Sequence, residues 1–560
     1  MKKLLFGVLL CSSLLVCGCK WFSSSSDSKT KTITVDVNHP GRAYLVKVNY
    51  SPYYSIAAAE SGKVESTKAR QAVGSAAYNI NEAFNQRVIA SLKNNSSRAA
   101  SSFKDQVVTQ TPQTLNISVG NTKSFSSLTS TKDSSILEGV SGTVNATCYY
   151  AGEHCYVFGD NSEKNGAKKS KGIDLNYSND ETKNSFVLIG KIFDSCYGLE
   201  TQIIGDPLYS QYNEAFTRCN NKVIILVSDL YGDAYKDQDS GVAGYFANAD
   251  LFSQTFLDEN INVDRWGNTL STTDSNYIHS NECEMFYIDS CFLTNAPENV
   301  YSTLVHEFNH MINYVIKTIK FMGNHNISIN NYGSYLCDSW FTEMLAMTTE
   351  DMFIDFLKTP ETYSPIARLA YFDLFYHYGF RNWDSFTVTE YPKLDSLYVS
   401  YANTYAFGAF LARNFGGTNL IKEIAQNDYI NEDAITQALN TLYPGQGYNY
   451  KYAVEKFPLV ILNTASPSSA QLSATGENQY YSLNRGIKIN NNDKLFFSPV
   501  NIGRFTYDDG NYISPKIYKG SEEVLIGANG FTIHYIGSNL KSFEFTANTS
   551  NKLGYFLVKD

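Results

Sequence analysis

The segment TLVHEFNHMINYVI, residues 303–316, holds two of the chain's eight histidines, four residues apart, with a glutamate beside the first. On a helix this spacing places the imidazoles of His306 and His310 on one face, where both can bind one metal ion at about 2 Å. Glu307 lies one step round the helix, beside the metal without binding it, where a carboxylate can take a proton from water. The segment therefore predicts a zinc site with two ligands and a general base.

The residues before this motif predict that it lies on a helix. Asn295 can cap the helix, Pro297 stands in its first turn, and Glu298 follows three residues after the cap. Apolar residues then recur along one stripe as far as position 319. A metal site is favoured over a structural helix with incidental polar residues, because a chance match need not fall on such a helix.

A catalytic zinc ion takes three protein ligands and leaves one position for water. The metzincin extension of the motif needs glycine and histidine where this chain has Asn313 and Ile316. Asp338 is a minor candidate, since its surroundings lack the element typical of an aspartate ligand. A glutamate ligand fits better, because a second helix is predicted at 339–358 and Glu343 lies on its inner stripe.

The segments HEFNHMIN and SWFTEMLAMTTED resemble the hyicolysin-type neutral metallopeptidases, a glutamate-zincin family of secreted bacterial enzymes. The resemblance spans about 140 to 420 and extends to DSGVAGYF (239–246), CYYAGEHCYVF (148–158) and YAFGAFLARNFGG (405–417). It implies that His306, His310 and Glu343 bind one Zn²⁺ ion and that Glu307 is the base. It also implies an α+β, zincin-like catalytic domain.

Two roles around the metal stay open. Thermolysin-like enzymes place an aspartate four residues after the ligand glutamate to orient a ligand histidine, but this chain has Met347 there. Glu350 returns to nearly the same face and can take that role, although a solvated or helix-pairing carboxylate is the simpler interpretation. The oxyanion needs a further donor. Tyr405, in a Y-x-x-G element similar to that of zinc aminopeptidases, is a candidate, with packing as its alternative. His325 and His377 are further candidates.

The N-terminus predicts export and a lipid anchor. Two lysines precede a short apolar run, and the residues up to Cys19 resemble a bacterial lipobox. We therefore expect a signal peptide at 1–18, lipidation of Cys19 and a flexible tether at 19–31. These features predict a lipoprotein of the bacterial cell envelope, periplasmic or surface-exposed, that contacts the membrane through its anchor alone.

Alternating apolar and polar residues divide the rest of the chain. We predict a β-rich region at 32–135, a zincin-like catalytic domain at 136–465 and a β-sandwich-like module at 466–560. Within the catalytic domain, the segment 222–233 is predicted to be a buried strand followed by a turn, and another strand is predicted at 283–293. Further helices are predicted at 64–95, 365–378, 403–414 and 433–442. The net charge of −10, without a basic block beyond the first residues, argues against a nucleic-acid partner.

The cysteines and remaining histidines give weaker predictions. In an exported chain, neighbours in sequence can pair as Cys148–Cys155, Cys196–Cys219 and Cys283–Cys291, which leaves Cys337 as a free thiol. Asp233, Asp237 and Asp239 form an acidic turn, with Ca²⁺ binding as the lesser alternative. The histidines at 39, 154, 279 and 534 are predicted to be surface or turn residues.

Together these observations predict a zinc-dependent endopeptidase that acts on proteins or peptides. An endopeptidase is favoured over an aminopeptidase, because no Gly-x-Met-Glu-Asn element is present to hold a free N-terminus. Two alternatives remain. The chain is either a non-catalytic surface-binding lipoprotein with a zincin-like core, or a zinc hydrolase that acts on a non-peptide substrate.

Overall fold

A computed structural model describes much of the chain from residue 30 onward, and the account below is confined to that part. The described residues are 30–51, 55–57, 81, 84–90, 115–129, 140–161, 169–170, 173–174, 180–207, 219–230, 242–263, 268–274, 277–295, 297–381, 383, 396–463, 473–474, 481–488, 495–503, 505, 513–520, 522, 524–548 and 552–559. The predicted signal peptide, Cys19, the acidic run 233–239 and most of the predicted helix 64–95 lie outside these residues.

The described elements mix helices and strands, so the predicted α+β class is confirmed. The strands are β1 Thr30–Asn49, β2 Ser55–Ala57, β3 Thr122–Thr129, β4 Val140–Ala151, β5 Cys155–Asp160, β6 Lys169–Ser170, β7 Ile173–Asp174, β8 Val223–Ser228, β9 Gly244–Phe246, β10 Met285–Asp289, β11 Ser473–Ala474, β12 Ile487–Lys488, β13 Phe496–Phe497, β14 Tyr518–Lys519, β15 Val524–Ile526, β16 Phe531–Asn548 and β17 Leu553–Lys559. The α-helices are α1 Asp180–Ile204, α2 Gln254–Asn260, α3 Ser290–Asn295, α4 Pro297–Tyr314, α5 Phe321–Asn324, α6 Ser339–Leu357, α7 Leu369–Phe375, α8 Ser396–Asn414, α9 Thr418–Gln426, α10 Asn431–Leu442, α11 Tyr450–Lys456 and α12 Leu459–Leu462.

A six-stranded sheet in the order β3-β4-β5-β8-β10-β9 forms the framework of the central region. Strands β5, β8 and β10 run parallel and are buried at every position, which accounts for their continuous apolar sequences. The short strand β9 pairs antiparallel with β10 and lies at one edge of the sheet. An edge strand of this kind can accept a further strand along its open side.

Three helices carry the predicted site. Helix α4 packs against β9, β10 and α6, and α6 packs in turn against α8. The contact between α6 and α8 is close at Gly408, where a Cβ atom would lie 2.2 Å from Thr348 Oγ1. After Tyr314, helix α4 continues through a π-helical stretch, Val315–Lys320, into α5. The two helices that bear the predicted ligands are thus held side by side.

Strands that are far apart in sequence meet in a five-stranded sheet with the order β11-β17-β1-β16-β14. Strand β1 lies between β16 and β17 and pairs antiparallel with both. Strand β3, in the region 32–135, pairs instead with β4 of the central sheet. The division of the chain at 135 and 465 stays a prediction, but strand pairing crosses both of these boundaries.

Some predicted elements differ from the observed ones. The predicted strand 283–293 ends at Asp289, whose carboxylate accepts a hydrogen bond from Phe292 N and starts α3. The predicted helix 365–378 is a short α7 between two 3₁₀ turns. His534 is buried on β16 rather than exposed, because β16 lies between β14 and β1, and β1 is distant in sequence. Among the described helices, none combines the length and apolar character needed to cross a membrane.

The predicted disulfides are wrong, since no disulfide joins any two of the seven cysteines from 148 to 337. The sheet explains this for two of the three pairs. Cys148 and Cys219 lie in the apolar cluster on one face, whereas Cys155 and Cys196 lie in the main core on the other. Members of those pairs are therefore separated by the sheet itself. In the third pair, strand β10 intervenes between Cys283 and Cys291.

Candidate metal centre

His306 and His310 project from the same face of α4, as their spacing predicts. Their rings are almost perpendicular, at 82°, with centroids 4.6 Å apart. The two Nε2 atoms lie 3.0 Å from each other. The motif therefore brings two imidazole nitrogens to one point, one helical turn apart.

Glu343 reaches the same point from α6. Its Oε2 lies 3.2 Å from His306 Nε2, and its Oε1 lies 3.6 Å from His310 Nε2. Asp338 stands at the N-cap position of α6 without a side-chain capping bond, and Trp340, which donates to its carboxylate, is buried in the first turn. One ligand atom from each of the three residues lies within 4.8 Å of the other two. The structure thus brings together the three residues that the sequence singled out.

The donor atoms fit a metal cation. His306 Nδ1 lies 2.7 Å from Glu350 Oε1, which favours a proton on Nδ1 and leaves the lone pair of Nε2 facing His310 and Glu343. Glu343 Oε2 is buried and accepts no hydrogen bond from any described residue. Electron-pair donors that converge in a buried space repel one another unless a cation lies between them. Two imidazoles and one carboxylate are the donor set of several catalytic zinc sites.

Glu350 contacts His306 at Nδ1, the ring nitrogen that does not face His310 and Glu343. Besides its contact with His306, its Oε2 accepts a hydrogen bond from Ser302 Oγ on α4. The side chain is buried, so the interpretation of Glu350 as a solvated carboxylate is wrong. The sequence signal for its position was the seven-residue spacing from Glu343, which is close to two helical turns.

The charges of the cluster depend on one another. Burial alone would lower the pKa of His306, but the carboxylates of Glu350 and Glu343 outweigh it and hold that pKa well above its usual value. Burial, helped by the charge on His306 and opposed by Glu343, lowers the pKa of His310 to about 4. Burial would raise the pKa of Glu343, but the two histidines keep it below its usual value. Without a cation the cluster therefore keeps Glu343 charged and His310 neutral but favours a proton on both nitrogens of His306, and a metal ion that binds here must displace the proton on Nε2.

Glu307 lies beside the three donor residues, under strand β9. Burial raises the pKa of Glu307 to about 8, partly offset by His306 and by a hydrogen bond from the Phe246 backbone. A Cβ atom at Gly244 would lie 2.7 Å from Tyr287 O and 3.2 Å from Glu307 Cγ. Glycine at this position therefore lets the edge strand pass directly over the carboxyl group.

A cavity adjoins the two histidines and the two glutamates, and Tyr401 also lines it. The lining residues include His306, Glu307, His310, Glu343, Tyr401, Gly244, Phe246, Asn248, Asn81 and Asn85. Tyr401 lies one turn before Tyr405 on α8, with the guanidinium of Arg368 4.5 Å from its ring centre. No feature of the sequence distinguishes Tyr401 from the other 40 tyrosines.

Tyr405 does not line this cavity, so its prediction as the oxyanion donor needs correction. It is fully buried, and its hydroxyl donates a hydrogen bond of 3.0 Å to Asp351 Oδ2. Arg413 binds the same carboxylate through two nitrogens, at 2.6 and 3.0 Å. Tyr405 is therefore part of a buried ion-pair network between α6 and α8.

The other candidates also lie away from the cluster. His325 is exposed at the end of α5, where its Nδ1 is 2.9 Å from the Phe321 carbonyl oxygen. His377 is buried beside Tyr378 and Tyr518. Asp338 Oδ2 accepts a hydrogen bond from Trp340 Nε1 at 3.1 Å. None of these three belongs to the described group of convergent metal-binding atoms.

Comparison with known proteins adds a distant relative. No protein-family model matches the sequence. The chain is 25% identical over 284 residues to the neutral metalloprotease ShpI of Staphylococcus hyicus, a match that covers 49% of this chain and 52% of that protein. The chain thus spans about half the length of the relative it matches. This similarity favours an enzyme of the metalloprotease type with zinc as its metal.

Proposed function

We propose that this chain is a zinc-dependent endopeptidase that hydrolyses peptide bonds in proteins and is anchored at the bacterial cell envelope by a lipid on Cys19. The observation that carries the proposal is the meeting of His306, His310 and Glu343 at one point, with Glu307 beside them. The distant similarity to a neutral metalloprotease supports the same reaction. The anchor rests on the N-terminal sequence alone.

His306, His310 and Glu343 would hold the zinc ion, and Glu350 would keep the His306 ring in its binding orientation. A zinc ion at this point supplies a Lewis acid, which polarises the scissile carbonyl and makes a neighbouring water molecule more acidic. Glu307 accepts the proton of the attacking water and returns it to the leaving amine. These roles need no movement of α4 or α6.

Tyr401 is the residue we assign to the oxyanion. It faces the same cavity as Glu307, and burial, with the carboxylate of Glu343 next in importance, holds the pKa of Tyr401 well above its usual value. The phenol therefore keeps its proton and can donate a hydrogen bond to the oxygen that becomes negative during attack. The contact with Arg368 fixes its ring.

The substrate backbone is expected along strand β9. This strand is at the edge of the sheet and passes over Glu307, so a peptide added there lies next to the base. Main-chain pairing of this kind binds proteins in extended form with little dependence on side chains. Such binding suits an endopeptidase.

The test is hydrolysis of casein by the purified chain without its first 29 residues, with and without a chelator. The proposal predicts that chelation abolishes hydrolysis, that zinc restores it, and that Glu307→Gln lowers it by about 10²–10⁴-fold. Glu298→Gln, an exposed glutamate in the first turn of the same helix, is the matched control and should retain activity. Undiminished activity in Glu307→Gln would show that the base is misassigned. Zinc binding without cleavage of any peptide would favour a hydrolase of a different substrate class or a binding protein.

A further inference from the structure

The open side of β9 is partly occupied by another part of the chain. Asp289 N donates to Ala243 O, so Ala243 and Tyr245 direct their backbone groups towards β10. By the two-residue repeat of a strand, Gly244 and Phe246 direct theirs away from the sheet. These outward groups are the ones that an added peptide strand would bind.

The side chain of Asn81 binds two of the backbone groups on this side. Its Nδ2 donates to Phe246 O at 2.7 Å, and its Oδ1 accepts from Asn248 N at 2.8 Å. In an antiparallel pair these two groups would bind two different residues of the added strand, whereas a single residue binds both only in a parallel pair. A carboxamide has the same donor and acceptor as a peptide group. Asn81 therefore already binds two backbone groups that an added strand of either direction would use.

Buried contacts fix Asn81 in this place. Phe84 and Val88 are buried in the main core, and the Phe84 ring centre lies 5.7 Å from that of Phe252. Asn85 Oδ1 accepts a hydrogen bond of 2.6 Å from Tyr332 OH. The segment 84–90 is thus docked on the same region that carries β9 and α4. The contact of Asn81 with the strand is part of the packed structure.

We infer that Asn81 limits how many residues a substrate can place on the amino-terminal side of the scissile bond, an inference that rests on the proposed endopeptidase function. An antiparallel peptide runs opposite to β9, and antiparallel pairing is the more stable kind. Glu307 contacts the backbone of Phe246, whereas Asn248 lies beyond it along the chain. Residues of an antiparallel peptide that extend towards Asn248 are those before the scissile bond. Peptides with a short amino-terminal side are therefore the preferred substrates.

The experiment uses two series of peptides built around one cleavage site mapped in casein. One series has one, two or four residues before the scissile bond, and the other varies the residues after it. In Asn81→Ala we expect kcat/KM for the peptide with four preceding residues to rise about tenfold through a lower KM. The reason is that the two hydrogen bonds from Asn81 to the backbone of Phe246 and Asn248 no longer compete with those of the peptide. The peptide with one preceding residue and the whole second series should not change.

Two further variants sharpen the result. Asn81→Asp keeps the acceptor for Asn248 N but places a carboxylate oxygen against Phe246 O, so it should show the same gain. Gln86→Ala is the matched control, because Gln86 lies on the same segment but is exposed and is not among the residues that line the cavity. Gln86→Ala should keep the wild-type profile.

Several results overturn the inference alone: no change in either Asn81 variant, an equal change in both peptide series, or the same gain in Gln86→Ala. Each of these would leave casein hydrolysis and its dependence on zinc and Glu307 intact. If the wild-type chain cleaves neither casein nor any peptide, the proposed function fails and this inference falls with it.

Discussion

Glu350 Oε1 lies 2.7 Å from Nδ1 of His306, on the side of the ring opposite the nitrogen that faces His310 and Glu343. One carboxylate thereby sets both the orientation and the tautomer of a proposed ligand histidine. Because Glu350 shares α6 with Glu343, the same helix carries one proposed ligand and the support for another. A shift of α6 would disturb both together.

The first prediction concerns this support. Glu350→Gln preserves the size of the side chain but removes its charge, so we expect zinc affinity to fall about 10- to 100-fold. Competition with a chromophoric chelator measures the change. Asp355→Asn, an exposed residue further along the same helix, is the control and should bind zinc as the wild type does. Equal affinities in the two variants would remove the supporting role from Glu350.

The second prediction separates two tyrosines that lie one turn apart on α8. Tyr401→Phe should lower kcat about 10²–10³-fold with little change in KM, because it removes a donor used in the transition state. Tyr405→Phe should leave kcat within about twofold but lower the free energy of unfolding by about 2 kcal/mol, since it removes a hydrogen bond to buried Asp351. Steady-state kinetics and urea denaturation distinguish the two effects. A large loss of kcat in Tyr405→Phe alone would restore its predicted catalytic role.

The third prediction concerns the ion pair of Arg413 and Asp351, whose side chains are both fully buried. Arg413→Met leaves a buried carboxylate uncompensated and should lower the free energy of unfolding by about 3–5 kcal/mol. Replacing both partners, as Arg413→Met with Asp351→Leu, should recover most of that loss. The partly exposed pair of Arg381 and Glu432 is the control, where Arg381→Met should cost less than about 1 kcal/mol. A small effect at Arg413 would mean that water reaches the pair.

The fourth prediction concerns acid stability. His534 is fully buried, and burial, together with the charge of Lys47, lowers its pKa to about 3. The unfolded chain takes up this proton near pH 6.5 and the folded chain only near pH 3, so stability should fall as the pH drops through that interval. In His534→Gln, about 3 kcal/mol of the loss between pH 7 and pH 4 should disappear.

Urea denaturation at a series of pH values measures this difference. His534 Nε2 lies 2.9 Å from Thr532 Oγ1, and a glutamine amide can replace that contact. The exposed His325→Gln is the control and should keep the wild-type pH dependence. Parallel curves for wild type and His534→Gln would mean that His534 does not carry the effect.

The parts of the site that could be predicted from sequence are those set by local helical spacing. The positions of His306, Glu307 and His310 follow from the repeat of one helix, and Glu343 follows from the stripe of the next. The tyrosine at the cavity could not be predicted in this way. Nearly every residue of α8 is buried, so its sequence does not show which face turns to the metal.

Contacts between residues that are distant in sequence could not be predicted from the sequence either. The three predicted disulfides used distance along the chain, but the sheet places Cys148 and Cys155 on opposite faces. The contact of Asn81 with β9 joins residues 165 positions apart, and no local pattern marks it. Alternation identified β1 as a strand but carried no information on its partners, because register is set by the strands that it meets.

The pairing of the first strand with the last two constrains how the protein is made. Asn49 and Asn529, 480 residues apart, share a hydrogen bond next to this sheet. At ordinary rates of synthesis, roughly tens of seconds pass between the emergence of β1 and that of its neighbours. During this interval β1, with two unsatisfied edges and a buried stretch at 43–49, must be kept from aggregation, so this strand is a segment of the nascent chain that a chaperone would protect.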